Sequence, residues 1–183
     1  MKFLDTEAAI IELKGLLADA EAMPIVMEEV AVLKAQLNLL EWSKRVRLVR
    51  YSRGDHRLPF KDCEQFMVEL NKIYSSVDRT NMSEVIFDAQ LDEENYVRRS
   101  FNEGREWLVS AKDVLTVGGS VRKGATLTRI CELRDSSMLC NCVDLTLETK
   151  PLCEAIASAD AWKDENRRFN LIFIPCKSSL FYC

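Results

Sequence analysis

Two stretches of this chain repeat one another. Leu13 precedes Trp42 by 29 residues, and Leu133 precedes Trp162 by the same 29. Laid together, Lys14 meets Arg134, Met23 meets Val143, Ile25 meets Leu145, Glu28 meets Glu148, Ala35 meets Ala155 and Arg47 meets Arg167. Each copy reads as helix, a break at "MPIVMEE" or "CVDLTLE", helix, then Trp. Such a helical pair cannot bury its apolar faces alone and must pack on neighbours. The expected fold class is therefore all-α, an elongated array or bundle of antiparallel helical hairpins. A third Trp, Trp107, sits in "FNEGREWLVSAKDVL" without an upstream hairpin at the same spacing, so a middle unit is longer or degenerate. Trp42, Trp107 and Trp162 are read as structural anchors that fill gaps between helices. The competing reading is an exposed aromatic site.

Composition agrees with helices. Six Gly and four Pro in 183 residues are few for a sheet protein with many tight turns. The net charge of -4 excludes a globally basic nucleic-acid binder but leaves room for a local basic face. No apolar run reaches the roughly 20 residues of a membrane span, so no membrane partner is expected. The start, Met1 to Glu7, has no charged-then-apolar leader, and secretion is not expected.

The chemistry-bearing residues are sparse. His56 is the one histidine, which excludes a site needing two of them from this chain. Phosphate-cradling, nucleophile-elbow and zinc-protease motifs are absent from the sequence. Seven cysteines without a leader point to reduced thiols. Cys131, Cys140, Cys142 and Cys153 cluster, but C-x-C is a poor match to the C-x-x-C turn that aims two sulfurs at zinc, so buried small hydrophobes are expected. The metal, cofactor and catalytic sets are accordingly read as none, and the chain as not an enzyme.

Along the chain, periodicity predicts a helix over 5–22, ended by Pro24, and a second from about Val26 through Arg53, stopped at Gly54–Asp55. Residues 60–74 read as helix. Asn81 with Glu84 is a capping pattern for a helix from about Met82 to Leu115, broken near Gln90. Residues 116–125, with three of the six glycines, read as a flexible connector. A short helix over 127–138, a connector and a helix over 147–169 follow, with Pro151 tolerable in the first turn.

This arrangement resembles the PLU-like helical region of the jumonji/ARID histone lysine demethylases. The family style is a leucine-rich helix, a short break, an acidic helix start, and an aromatic ending followed by basic residues. "LLADAEAMPIVMEEVAVLKAQLNLLEWSKRVR" (16–47) carries it best, and "ICELRDSSMLCNCVDLTLETKPLCEAIASADAW" (130–162) carries it again. The resemblance covers about residues 5–169, with the loop 116–125 before the last hairpin. It implies a fragment without the jumonji catalytic domain: a noncatalytic helical scaffold or interaction region of a nuclear protein acting in chromatin and transcription regulation. Its implied partners are other demethylase domains or chromatin proteins. Iron and 2-oxoglutarate are implied only for the full-length family, and no residue here matches their ligands. The alternative is a helical-repeat protein–protein adaptor unrelated to chromatin.

Two further features stand out. Lys44, Arg45, Arg47, Arg50 and Arg53 lie in a stretch with no acidic residue, and Arg47, Arg50 and Arg53 recur every three residues. They are candidates for phosphate or partner binding, through weak nonspecific DNA contact. The opposing reading pairs them with acids such as Glu103 and Glu106. The last segment, 170–183, is apolar and atypical, either a strand packed on the bundle or a non-native end.

Overall fold

The computed structural model describes residues 3–24, 27, 29–52, 54, 56–77 and 88–172. It is mostly helical. Among the described residues lie six helices: α1 (Phe3–Glu21), α2 (Glu29–Ser52), α3 (Phe60–Ser75), α4 (Asp88–Ser110), α5 (Leu127–Met138) and α6 (Thr146–Ile172). One short parallel strand pair accompanies them, β1 (Leu58–Pro59) with β2 (Val143–Asp144). The chain divides into two compact units. The first runs to Leu108 and takes in Cys140–Leu145; the second holds 109–139 and the chain from Thr146 onward. The Asn81 cap, the helix start at Met82 and the tail beyond Ile172 fall outside the described residues. Residues 170–172 continue the backbone of α6.

In the first unit, α1 ends before Pro24, and α2 begins at Glu29. Ile10 and Leu13 are buried with Leu40, and Leu33 and Leu37 pack beside them. Three ion pairs flank this seam: Glu7 with Lys44 at 2.6 Å, Lys14 with Glu41 at 2.7 Å, and Glu21 with Lys34 at 2.7 Å. Their order rises along α1 and falls along α2, so the two helices run in opposite directions. Further along α2, Trp42 and Val46 are fully buried. Helix α3 covers them, with Phe60, Cys63, Phe66, Leu70 and Ile73 on its buried face. That face has the three-to-four-residue spacing that makes a helix amphipathic.

The strand pair was not visible in the sequence. Leu58 pairs with Val143, and the Leu58 N–H donates to the Cys142 carbonyl at 3.0 Å. Segment 140–145 is held from the other side by Glu103 of α4. Its carboxylate accepts from the backbone N–H groups of Asn141 (3.0 Å), Cys142 (2.8 Å) and Val143 (3.2 Å). One charged side chain thereby satisfies three amides that a two-residue ladder cannot. Gly104 follows, and the Phe60 ring rests where its Cβ would be. A glycine inside a helix, costly by propensity, lets Phe60 reach α4 and stack on Phe101 at 6.1 Å.

In the second unit three expectations are corrected. The helix expected to reach Leu115 ends at Ser110, and residues 111–114 turn instead. The glycine-rich stretch is a knitted turn rather than a loose connector. Leu115 bridges Val121 in antiparallel fashion. The Thr116 N–H donates to Ser120 O at 2.8 Å, and the Arg122 N–H to Val114 O at 2.7 Å. Gly119, at φ 77°, supplies the left-handed residue that closes the turn. Thr126 caps α5 by accepting from the Arg129 N–H. Helix α5 packs on α6 through Ile130, Leu133 and Leu152, all buried. Pro151 lies in the second turn of α6, not the first, and its missing N–H leaves Leu147 O without its i+4 partner.

Candidate functional site

The basic stretch of α2 is divided by burial. Lys44 is half-exposed and held by Glu7. Arg45 grips Glu69 of α3 with two nitrogens, at 2.7 and 3.3 Å. Burial raises the Glu69 pKa, but the hydrogen bonds from Arg45 and Gln65 and the charge of Arg45 outweigh it and hold the carboxyl below its ordinary range. Arg47 points inward and is 5% exposed. Its Nε lies 3.3 Å from Glu93 of α4, and its other nitrogens donate to Thr6 and Ser43 hydroxyls at 3.3 Å. Arg50 approaches the same carboxylate at 3.7 Å, and its guanidinium lies 3.8 Å above the centre of the Tyr96 ring. Arg53 is outside the described residues.

The acidic partners are therefore Glu7, Glu69 and Glu93. The expectation that named Glu103 is corrected, because its carboxylate is committed to the three amides of 141–143. Of the four described cations, Arg47 is structural, and each of the others contacts a carboxylate. A phosphate would displace a carboxylate at each, which reduces what an added anion gains.

Glu93 sits between two arginines, yet burial pushes its carboxyl above the usual range, against the pull of Arg50 and Arg47. One turn earlier on α4, Gln90 is 2% exposed, and neither its amide nitrogen nor its oxygen has a hydrogen-bond partner among the described residues. One turn later, Tyr96 donates its hydroxyl to the His56 carbonyl at 2.6 Å. His56 adopts φ 59°, a left-handed conformation uncommon for a side chain with a Cβ. The Cys142 carbonyl also lies 3.1 Å from the Ser100 hydroxyl. Burial pushes the Tyr96 phenol up, and burial followed by the Glu103 charge pushes the Cys140 thiol up.

The four clustered cysteines fall in different units: Cys140 and Cys142 in the first, Cys131 and Cys153 in the second. No helix among the described residues is long and apolar enough to cross a membrane.

The three tryptophans do not share one role. Trp42 is 0% exposed, and its indole N–H donates to the Phe66 carbonyl at 3.0 Å. Trp107 is 5% exposed. Trp162 is 67% exposed, so its reading as a packing anchor is corrected. The periodicity places Trp162 on the same stripe as Leu152, Ile156 and Ala159, but the helix that covers Trp42 in the first pair has no described counterpart in the second. Glu103, Tyr96 and Ser100 gave no signal in the sequence, because their partners lie about 40 residues away or further. No family model, curated protein or solved structure matches this chain.

Proposed function

We propose that this chain is a noncatalytic helical scaffold, an interaction region of a nuclear histone lysine demethylase-like protein, built as an elongated array of antiparallel helical hairpins. The observation that carries the reading is the internal repeat. Two helix–break–helix copies end on a Trp at the same place, and in each the two arms pack on each other. A repeat whose second copy leaves its Trp exposed offers surface to a partner, as an array of helical units does. The demethylase setting rests on the resemblance of residues 16–47 and 130–162 to the PLU-like region.

The test is the complete transcript that contains this reading frame. Jumonji and ARID coding sequence in frame with it is the expected result. A transcript without either leaves only a helical-repeat adaptor unrelated to chromatin. In a second test the purified chain is given a trimethyl-lysine histone peptide, iron(II) and 2-oxoglutarate. No formaldehyde is expected, and turnover would end the scaffold reading.

A further inference from the structure

We propose that the Trp162 face of α6 docks an amphipathic helix of another protein, one that presents an aromatic side chain and, three residues later, a lysine or arginine. The proposal deepens the scaffold reading by naming the kind of partner, and it rests on that reading only for the idea that this surface is used.

The first copy shows how such a Trp is covered. Helix α3 lies on α2 so that the Phe66 carbonyl accepts from the Trp42 indole. The Phe66 ring meets the indole edge to face, at 6.2 Å and 83°. Three residues beyond Trp42, Arg45 pairs at 2.7 Å with Glu69, which stands three residues beyond Phe66. Trp and carbonyl thus fix the contact, and the charge pair fixes its register.

In the second copy the Trp is retained, and the surface around it is reshaped. Trp162 occupies the place of Trp42 and is 67% exposed. Ala159 replaces Leu39 one turn earlier, so the face loses relief and leaves room for a larger side chain on the incoming helix. The place of Arg45 is taken by Glu165, which is exposed. The charge that sets the register is therefore inverted. A helix like α3, with glutamate at its register position, would meet a carboxylate. A helix with lysine or arginine there would pair with it. A large indole with a polar handle is the residue type that anchors such contacts.

The probe is a synthetic peptide of the α3 sequence, 60–75, stapled between positions 64 and 68. Both positions are exposed in the chain, and a helix this short is marginal by itself in water. One form keeps the native sequence and a second carries Glu69→Lys. Binding of each labelled peptide to the full chain is read by fluorescence anisotropy. The Glu69→Lys peptide is expected to bind about 3-fold tighter than the native one, the scale of an exposed charge pair. Trp162→Ala should weaken both by at least about 10-fold, with helicity by circular dichroism unchanged. Glu165→Lys should reverse the preference between the peptides.

If Trp162→Ala or Glu165→Lys changes nothing, the peptides bind elsewhere and the proposal fails. It fails also if neither peptide binds at about 1 mM. If the chain self-associates in sedimentation and Trp162→Ala abolishes this, the occupant is a second copy, and the assignment to another protein is overturned. None of these outcomes touches the scaffold reading, which stands or falls on the transcript and the demethylation assay.

Discussion

Helices α1 and α5 are the first arms of the two copies, and they are used alike. Ile10, Leu13 and Leu17 are buried in α1, and Ile130, Leu133 and Ser137 occupy the equivalent buried places in α5. The second arms diverge. In α2 burial continues through Leu39, Leu40, Trp42, Ser43, Val46 and Arg47. In α6 the last buried residue described is Leu152, and Asp160, Trp162 and Lys163 at the equivalent places are exposed. The difference follows from what lies on each arm. Helices α3 and α4 bring Phe66, Glu69 and Glu93 onto α2. At the equivalent places α6 carries polar residues, with Asp160 for Leu40, Lys163 for Ser43 and Asn166 for Val46. A repeat thus fixes the pairing of its own two arms, while the outer face of the second arm is decided by its neighbours.

The largest effect should come from Trp42, set against Trp162. Trp42→Ala removes a fully buried ring and leaves a cavity, and should cost about 3–5 kcal/mol in urea unfolding. Trp162→Ala should lie within about 0.5 kcal/mol of the parent chain. Equal losses would mean that Trp162 is packed in solution, and the contrast between the arms would disappear.

Legibility in the sequence follows the same division. The spacing of Ile10, Leu13 and Leu17 matches their burial because that helix carries its own period. The spacing of Phe60, Cys63, Met67, Leu70 and Ile73 misses by one residue, since the structure buries Phe66 and leaves Met67 half-buried. The exposure of Trp162 was not readable, because Trp42 and Trp162 are the same residue in the same local pattern. Only the partner differs, and a partner is a long-range fact. The strand pair at Leu58 and Val143 escaped for a different reason: two residues are too short to show alternation. Residues 116–125 looked loose by glycine content, while the Thr116 and Ser120 side chains that knit the turn carry no period at all. Of the candidate basic residues, spacing identified a cationic stretch but could not tell the inward Arg47 from the outward Lys44 and Arg45.

The next effect separates buried from exposed ion pairs. Glu93→Leu strands the inward Arg47 without its carboxylate and should cost about 3 kcal/mol or more. On the second arm, Arg167 and Asp164 are both largely exposed at 3.8 Å. Arg167→Met should cost less than about 0.5 kcal/mol. A mild Glu93→Leu would show that Arg47 reaches water, and the burial of this arm would be overstated.

A smaller change of opposite sign is expected at Gln90. Its amide is buried without a partner among the described residues, so the side chain bears the cost of lost hydration with no hydrogen bond from them in return. Gln90→Met keeps the shape and removes the polar group. It should raise stability by about 1 kcal/mol, read as a higher denaturation midpoint at unchanged slope. A loss of stability would assign the amide a hydrogen-bonded water.

The smallest effects lie in the pH dependence of the carboxylates that cover α2, and their signs differ. Glu69 is held below its ordinary range. The stability it contributes is present above the unfolded carboxyl pKa and is lost as pH falls through the depressed folded value. Glu93 is held above its range by burial. Its contribution is fully present below the unfolded pKa and is lost as pH rises through the raised folded value. Denaturation midpoints of the parent, Glu69→Gln and Glu93→Gln chains are compared on either side of the ordinary carboxyl range, from neutral pH toward acid. The advantage of the parent over Glu69→Gln should shrink toward acid, by under about 1 kcal/mol because the pair is partly solvated. Its advantage over Glu93→Gln should shrink in the other direction, toward neutral pH. If both shrink toward acid, the attraction of Arg47 and Arg50 outweighs the burial of Glu93. The inner face of α2 would then be held by charge as its outer face is, and the second arms of the two copies would differ in the number of their ion pairs rather than in kind.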